Sequence, residues 1–292
     1  MTTIGPPEVP ASGLAGTVAA TDIAAPRVHA RPLRRAYWAL RVGAAACFVG
    51  HGAFGILTKA AWVPYFAVAG IPKDWAYRLM PVVGSLDIAA GIAVLLSPRP
   101  FVLLYMAVWA TWTALLRPLA GESVFEAVER AGNYGVPLAL LLSFSWPRDV
   151  KGWFRHLAPR LTNGSPASIA TLLAWTTALL LFGHGALAAI TGKPLLASHV
   201  ALVGLPSTAV TMAGWAEMIA ALVVALRPSP SLLFGVMAWK MATEALYPIS
   251  GTPIWEFVER AGSYAAPLAL ALILIDSGSS HVERVTLRRS SC

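Results

Sequence analysis

The strongest constraint on the fold is a series of apolar runs, each about 20 residues long, the length that crosses a bilayer as a helix. We place eight such runs, at residues 36–58, 77–97, 100–117, 124–146, 167–190, 208–226, 230–248 and 254–276. Charged residues make up only 12% of the chain, against about 25% in soluble domains. Leu, Ala and Gly dominate the runs, without the alternation of barrel strands. The pattern therefore predicts an all-α integral membrane protein with eight transmembrane helices.

A second constraint is an internal repeat. The segment VERAGNY at 128–134 returns as VERAGSY at 258–264, and GHGA occurs upstream of each, at 50–53 and 183–186. Motifs that recur in one order indicate a duplicated unit. Each copy holds four spans, an even number, so both copies enter the membrane in the same sense. We therefore expect two parallel four-helix-bundle repeats related by a pseudo-twofold axis along the membrane normal.

The repeat divides the chain into segments. We expect a disordered cytoplasmic tail at 1–35, a first four-helix repeat at 36–146, a cytoplasmic linker at 147–166, a second four-helix repeat at 167–276 and a cytoplasmic tail at 277–292. The linker has apolar residues at helical spacing, which fits an amphipathic helix on the anionic leaflet, although Pro147 and Pro159 fit an irregular linker equally well. The loop after Lys59 is apolar, so it lies in the membrane interface or folds over the bundle.

The net charge of +8 is unevenly placed. Cations gather in the two tails, the linker and two short loops, whereas most acidic residues lie in the opposite loops. The positive-inside rule then places both termini in the cytoplasm, and we expect a multi-pass protein of the cytoplasmic membrane of a prokaryote. Cations spread over short loops and tails favour the lipid bilayer as a partner and give no indication of nucleic-acid binding. Cys47 and Cys292 form no CxxC motif, so a dithiol redox centre is not indicated.

Titratable residues recur at matching positions within the apolar runs. The candidate catalytic residues are His51 and Asp87 in the first copy, with His184 and Glu217 in the second. The candidate ligand-binding residues are Glu126, Glu129, Arg130 and Tyr134, their counterparts Glu256, Glu259, Arg260 and Tyr264, and the pair Lys240 and Glu244, which occurs only in the second copy. In a helix, the first four share an arc of roughly 140°, and Glu126 is spaced to pair with Arg130.

These groups are expected at similar depth in the outer half of the membrane, where ionisable residues are costly and mark a site by default. A His beside a carboxylate suits proton transfer, because imidazole titrates near neutral pH. With Tyr and Arg, the set is suited to a quinone headgroup. A metal on the His and carboxylate groups, or a haem between His51 and His184, ranks lower because neither has a spacing signature. Alternatively, the clusters are structural ion pairs that lock helix ends.

The chain resembles the DoxX-like family of four-helix membrane proteins. The resemblance rests on GHG at 50–52, AGIP at 69–72, GSLDIAAG at 84–91 and the Glu129–Arg130 pair, and in the second half on GHG at 183–185, VGLP at 203–206 and GWAE at 214–217. The family is associated with membrane redox roles, including a thiosulfate:quinone oxidoreductase subunit, which implies a quinone-linked or redox-accessory role here. The tandem duplication departs from the family's single four-helix unit.

The leading hypothesis is thus a membrane oxidoreductase, or a subunit of a membrane redox complex, with a quinone or other small-molecule substrate and with further membrane or redox subunits as partners. One alternative is a small-solute transporter whose pathway follows the pseudo-twofold interface. Another is a non-catalytic structural subunit whose polar clusters serve packing alone.

Overall fold

The computed structural model describes residues 30–144, 146–156 and 166–290, and all regular secondary structure within these ranges is helical. The described α-helices are, in chain order, α1 (Ala30–Ile56), α2 (Val63–Val68), α3 (Lys73–Leu96), α4 (Pro100–Leu119), α5 (Val124–Glu129), α6 (Ala131–Leu142), α7 (Val150–Phe154), α8 (Pro166–Ala189), α9 (Pro194–Leu202), α10 (Thr208–Leu226), α11 (Pro230–Ile249), α12 (Trp255–Glu259) and α13 (Ala261–Ser290). A 3₁₀ turn at Ala60–Trp62 precedes α2. The predicted all-α class is confirmed for the described residues.

Five of the described helices, α1, α3, α4, α8 and α10, are long and apolar enough to cross a membrane. The outer faces of α3 and α10 carry large exposed apolar side chains, among them Leu86, Leu96, Ile219 and Leu222. Such faces are stable against lipid and unfavourable in water. The structure is therefore compatible with a multi-pass membrane protein that has several apolar helices.

The two spans predicted at 124–146 and 254–276 are not single helices, which corrects the sequence prediction. The first is divided at Arg130, between α5 and α6, and the second at Arg260, between α12 and α13. At the first break, Arg130 Nη1 donates to the backbone carbonyl of Glu126 at 2.7 Å, and Arg260 bonds the carbonyl of Glu256 at the same distance. The guanidinium thus satisfies a carbonyl that the interrupted helix leaves without a partner.

Helix ends also differ from the predicted segment boundaries. Helix α1 begins at Ala30, inside the predicted tail 1–35, and α13 continues to Ser290, past the predicted end of the second repeat. Hydropathy marks only the apolar part of a helix, whereas the backbone hydrogen bonds continue into polar sequence. The linker contains α7, whose Phe154 ring lies 5.1 Å from that of Phe101 in α4. The predicted disorder at 1–29, the linker residues 157–165 and Cys292 lie outside the described residues.

The two halves interlock around a shared core. Helix α1 packs on α3 and also on α12 and α13 of the second half, while α8 packs on α10 and on α5 and α6 of the first half. Fully buried Leu140, Leu180 and Leu270 come from α6, α8 and α13 and meet in this core. Where α6 crosses α13, a Cβ on Gly132 would lie 2.6 Å from the carbonyl carbon of Gly262. Only residues without side chains allow the two backbones to approach this closely.

Candidate functional site

The first cavity, of about 160 Å³, lies between α1, α2, α4 and the two helix breaks. Its polar and aromatic lining residues are His51, Trp62, Tyr65, Phe66, Trp109, Trp112, Thr113, Arg117, Glu129, Arg130, Asn133, Glu244, Glu259, Arg260 and Ser263. Six of the predicted site residues therefore meet at one cavity, although they come from both halves of the chain. They meet because α12 and α13 of the second half pack against α1 of the first half. The contact is close, since a Cβ on Gly50 would collide with the backbone of Glu259.

His51 lies at the wall of this cavity, and two neighbours fix its orientation. Its Nδ1 lies 2.9 Å from Asp87 Oδ2, and its ring stacks on Trp62 with centroids 4.5 Å apart and planes at 26°. The side chain of Asp87 is 1% exposed, against 25% for His51. With Nδ1–H donated to the carboxylate, Nε2 is the nitrogen that can exchange a proton. The predicted His–carboxylate pairing is thus observed.

The second half repeats this pair with a longer carboxylate. His184 Nδ1 lies 2.6 Å from Glu217 Oε2, and the indole of Trp239 donates to Glu217 Oε1 at 2.5 Å. In the first half, Asp87 is one methylene shorter. Asp87 Oδ1 and Trp109 Nε1 are both buried without a hydrogen-bond partner among the described residues. They occupy the positions that match Glu217 Oε1 and Trp239 Nε1 in the second half. The first half therefore keeps two unsatisfied polar atoms next to its cavity.

This difference yields a reciprocal prediction. Asp87→Glu is expected to raise the free energy of unfolding by about 0.5–1.5 kcal/mol, the net value of one hydrogen bond, because the longer carboxylate reaches Trp109. Glu217→Asp is expected to lower it, because Trp239 loses its acceptor. Chemical unfolding of both variants in detergent, followed by circular dichroism, measures the two changes. Shifts of the same sign in both variants would contradict the explanation.

Ion pairs between the halves surround the cavity. Lys59 lies 2.6 Å from Glu256 of the second half, and Lys193 lies 2.5 Å from Glu126 of the first. Within α11, the predicted pair Lys240–Glu244 forms at 2.8 Å and is almost completely buried. Glu244 also meets Arg260 at 2.9 Å. The acidic groups are therefore compensated by cations.

A network that the sequence analysis missed holds α2 over the cavity. Tyr65 of α2 donates its hydroxyl to Glu122 and accepts from Arg117 Nη1 at 2.9 Å. Burial raises the pKa of the Tyr65 phenol to about 12, so the hydroxyl stays protonated and can donate. Trp62, next to α2, is buried and stacks on His51. The apolar loop after Lys59 thus folds over the bundle. The sequence feature that could have indicated this network is Arg117, a charged residue at the end of an apolar helix.

Five predicted ligand-binding residues, Glu126, Tyr134, Lys240, Glu256 and Tyr264, line neither of the two larger cavities in the described part of the chain. The Tyr134 hydroxyl donates to the carbonyl of Ala127, and that of Tyr264 to the carbonyl of Phe257. Both tyrosines therefore close the ends of α5 and α12. The prediction placed Tyr134 and Tyr264 on one helical arc with the preceding glutamates, and this is wrong because the helices break at Arg130 and Arg260.

One group of three side chains has the donor atoms that a metal site needs. Ligand atoms of Glu129, His184 and Glu244 lie within 4.8 Å of one another. Three cations compensate the two carboxylates, since Arg130 lies 3.4 Å from Glu129, and Lys240 and Arg260 both contact Glu244. A site already neutralised in this way does not favour a further cation. His51 and His184 line different cavities, so the geometry does not favour a haem between them.

The fold and this cavity define a helical, membrane-type protein with a partly buried His–carboxylate pair. Comparison with known proteins adds no identity: no family model matches the chain, and no curated protein or solved structure gives a significant match. The resemblance to the DoxX-like family therefore stays a prediction.

Proposed function

We propose that this chain is a DoxX-like integral membrane protein that acts as a quinone-binding oxidoreductase or as the quinone-binding subunit of a membrane redox complex. The observation that carries the proposal is the His51–Asp87 pair at the wall of a ring-sized cavity with an apolar opening. A titratable imidazole with a fixed tautomer is the group that proton-coupled chemistry on a small molecule requires.

The size and lining of the first cavity fit a quinone headgroup. Its volume is about 160 Å³, and a cavity of about 150 Å³ is known to accept one aromatic ring. The indoles of Trp62 and Trp109 supply flat apolar walls, while Arg130 and Asn133 supply hydrogen-bond donors. Donors beside aromatic walls match a planar ring that carries carbonyl oxygens.

An opening toward the membrane also supports a lipophilic ligand. The cavity reaches the surface at Trp112 of α4, which is 44% exposed. Val108 and Leu115 on the same surface are exposed at 62% and 46%. Helix α3 packs chiefly on α1, and α4 chiefly on α5 and α6, so α3 and α4 make few contacts with each other. A ligand with an apolar tail would enter between α3 and α4.

Within this proposal, each residue has a physical role. A bound quinone would supply a two-electron, two-proton couple, with the electrons exchanged with a partner redox subunit. His51 gives or takes a proton at Nε2, and the Asp87 carboxylate stabilises the imidazolium. The guanidinium groups of Arg130 and Arg260 stabilise negative charge near the ring oxygens. Tyr65, bonded to Arg117, keeps α2 closed and excludes water.

We also propose that the chain crosses the cytoplasmic membrane of a prokaryote eight times, as two parallel four-helix repeats with cytoplasmic termini. The three further spans would be α5 with α6, α11, and α12 with α13. The matched pairs support this arrangement, since His51–Asp87 corresponds to His184–Glu217 and Lys193–Glu126 to Lys59–Glu256. Cysteine-accessibility labelling of both termini in intact cells tests the orientation.

The transport alternative gains no support from the contact between the halves. A solute pathway along that interface would have to pass the crossing of α6 and α13. There the backbones of Gly132 and Gly262 touch. Counterflow of a solute in proteoliposomes would nevertheless favour transport over the redox proposal.

The test of the proposal is quinone binding by a His51→Phe variant. We expect its affinity for decylubiquinone in nanodiscs to fall about tenfold, because one hydrogen bond and its proton are lost while the ring stack on Trp62 is kept. Tryptophan quenching gives the affinity, and chromatography gives the quinone content of the purified protein. Tyr134→Phe is the matched control, since its hydroxyl contacts only the carbonyl of Ala127 among the described groups. Equal quinone binding by all three proteins would refute the proposal.

A further inference from the structure

The second cavity lies in the other half of the protein, between α8, α9, α10 and α11, and has a volume of about 240 Å³. Its walls are mainly apolar, with Leu196, Val210, Ala213 and Leu246 among them. The arginines that line the first cavity are not part of this lining. The second cavity therefore differs from the first in chemistry.

One buried polar side chain in this cavity lacks a partner. His199 of α9 is 3% exposed and packs edge-on against Tyr247, with ring centroids 4.5 Å apart. Its Nε2 makes no hydrogen bond to any described residue. An unsatisfied buried nitrogen is costly, so such a group in a cavity wall indicates a ligand that completes it.

The charges around the cavity decide which ligand fits. Burial lowers the pKa of His199, which keeps its imidazole neutral at neutral pH. The two oxygens of Glu217 are already engaged, one by His184 and one by Trp239. An anionic ligand would find no lysine or arginine in the cavity lining, and a cationic ligand would find no free acceptor oxygen on that carboxylate. A neutral molecule with a single polar group is the remaining class.

The rim of the cavity indicates where the ligand comes from. Val203 and Leu205, which belong to the lining, are exposed at 55% and 52%, and the lining residue Ala242 is also exposed. An apolar opening on a surface rich in exposed apolar side chains admits molecules dissolved in lipid.

We propose that the second cavity binds a neutral lipophilic molecule from the membrane that carries one hydroxyl or carbonyl group, and that His199 Nε2 hydrogen-bonds this group. The proposal is independent of quinone binding in the first cavity. It gives the second half of the chain its own ligand and explains why His199 and the apolar α9 cover it.

Photoaffinity labelling tests the proposal in nanodiscs that contain the full-length chain. The probe is a twelve-carbon fatty alcohol with a mid-chain diazirine, and labelled residues are mapped by mass spectrometry. We expect labels on α9, α10 and α11 that excess dodecanol competes away. His199→Phe is expected to reduce the competed labelling at least fivefold, and Ala213→Trp, which fills the cavity, to abolish it. His199→Asn, which keeps a polar group, is expected to restore part of it.

Ser198→Ala is the matched control, because Ser198 is exposed on the same helix and bonds only the carbonyl of Leu195 among the described groups. Thermal unfolding of each variant shows whether it is folded, and the Ala213 variant gives an answer even where a His199 variant does not fold. Labels spread evenly over the lipid-facing helices, or labels unchanged in both the His199→Phe and the Ala213→Trp variants, would overturn the proposal. Equal competition by dodecanoate at neutral pH would overturn its restriction to neutral ligands.

Discussion

Replacement of Gly132 with valine is expected to prevent the two halves from packing into a stable protein. A Cβ at this position would lie 2.6 Å from the carbonyl carbon of Gly262, and one on Gly262 would lie 2.5 Å from the Gly132 backbone. Both obstacles are backbone atoms, so no rotamer change relieves the clash, and α6 and α13 must separate. Overpacking usually costs about 1–3 kcal/mol. We expect the upper end of this range or more, since the displaced elements carry the shared core.

The measurement can use the buried thiol of Cys47. In a Cys292→Ser background, Cys47 is the single cysteine of the chain, and its reaction with a maleimide dye reports unfolding as temperature rises. Gly235→Ala is the matched control, because a Cβ on that glycine of α11 meets nothing within 4 Å. Alanine is favoured over glycine in a helix by about 1 kcal/mol, so the control is expected to be unchanged or more stable. Equal loss of stability in both variants would argue against a close crossing.

Local patterns made much of this structure predictable from the sequence. Runs of apolar residues identify helices because a helix satisfies its own backbone hydrogen bonds. Spacing of three or four residues identifies neighbours on one helix, and the pairs Glu126–Arg130 and Lys240–Glu244 form as expected. The pairing of His51 with Asp87 was indicated by the second half, where His184 and Glu217 stand at the matching positions and also pair.

The helix breaks were not predictable from hydropathy. The apolar run continues through Arg130, and the Arg130 side chain itself replaces the hydrogen bond that the helix loses at Glu126. A hydropathy window counts that arginine as a charge and does not detect its backbone contact. The same holds at Arg260, where the contact repeats. Both breaks turn the tyrosines that follow away from the cavity.

The packing of α1 on α12 and α13, and of α8 on α5 and α6, was also not predictable, because these contacts join residues that are far apart in the sequence. Spacing within each copy does not show that the two halves share a cavity, whereas the packing of Gly50 on Glu259 brings the second half to the cavity that His51 lines. The two copies also differ in sequence near the cavities. Where the second copy has Lys240 and Glu244, the first has Ala110 and Ala114, and Ala110 lines a small cavity of about 20 Å³ beside Trp109. Glu244 of the second copy lines the first cavity, so the polar lining of that cavity comes from both halves.

Removal of the Arg260 guanidinium is expected to be the most damaging change of charge in the protein. Arg260 meets Glu256 at 2.7 Å, Glu244 at 2.9 Å and Glu259 at 3.1 Å, and it lies over the Tyr247 ring. Arg260→Met keeps a long apolar stem and leaves these carboxylates short of one cation. Loss of one partner from a buried ion pair costs about 3–5 kcal/mol, and the carbonyl of Glu256 also loses its donor.

Two further variants decide whether charge is the cause of that loss. Arg260→Lys restores the cation without the planar fork, so we expect it to recover only part of the stability, because a lysine cannot reach three carboxylates in that geometry. Glu259 has its one ion pair among the described residues with Arg260, whereas Glu244 keeps Lys240. Adding Glu259→Gln to Arg260→Met therefore removes the uncompensated charge, and the double variant is expected to be more stable than Arg260→Met alone. Arg78→Met, on an exposed part of α3, should change the unfolding free energy by less than about 0.5 kcal/mol. A double variant less stable than Arg260→Met would mean that packing of the Arg260 stem, rather than charge balance, stabilises this break.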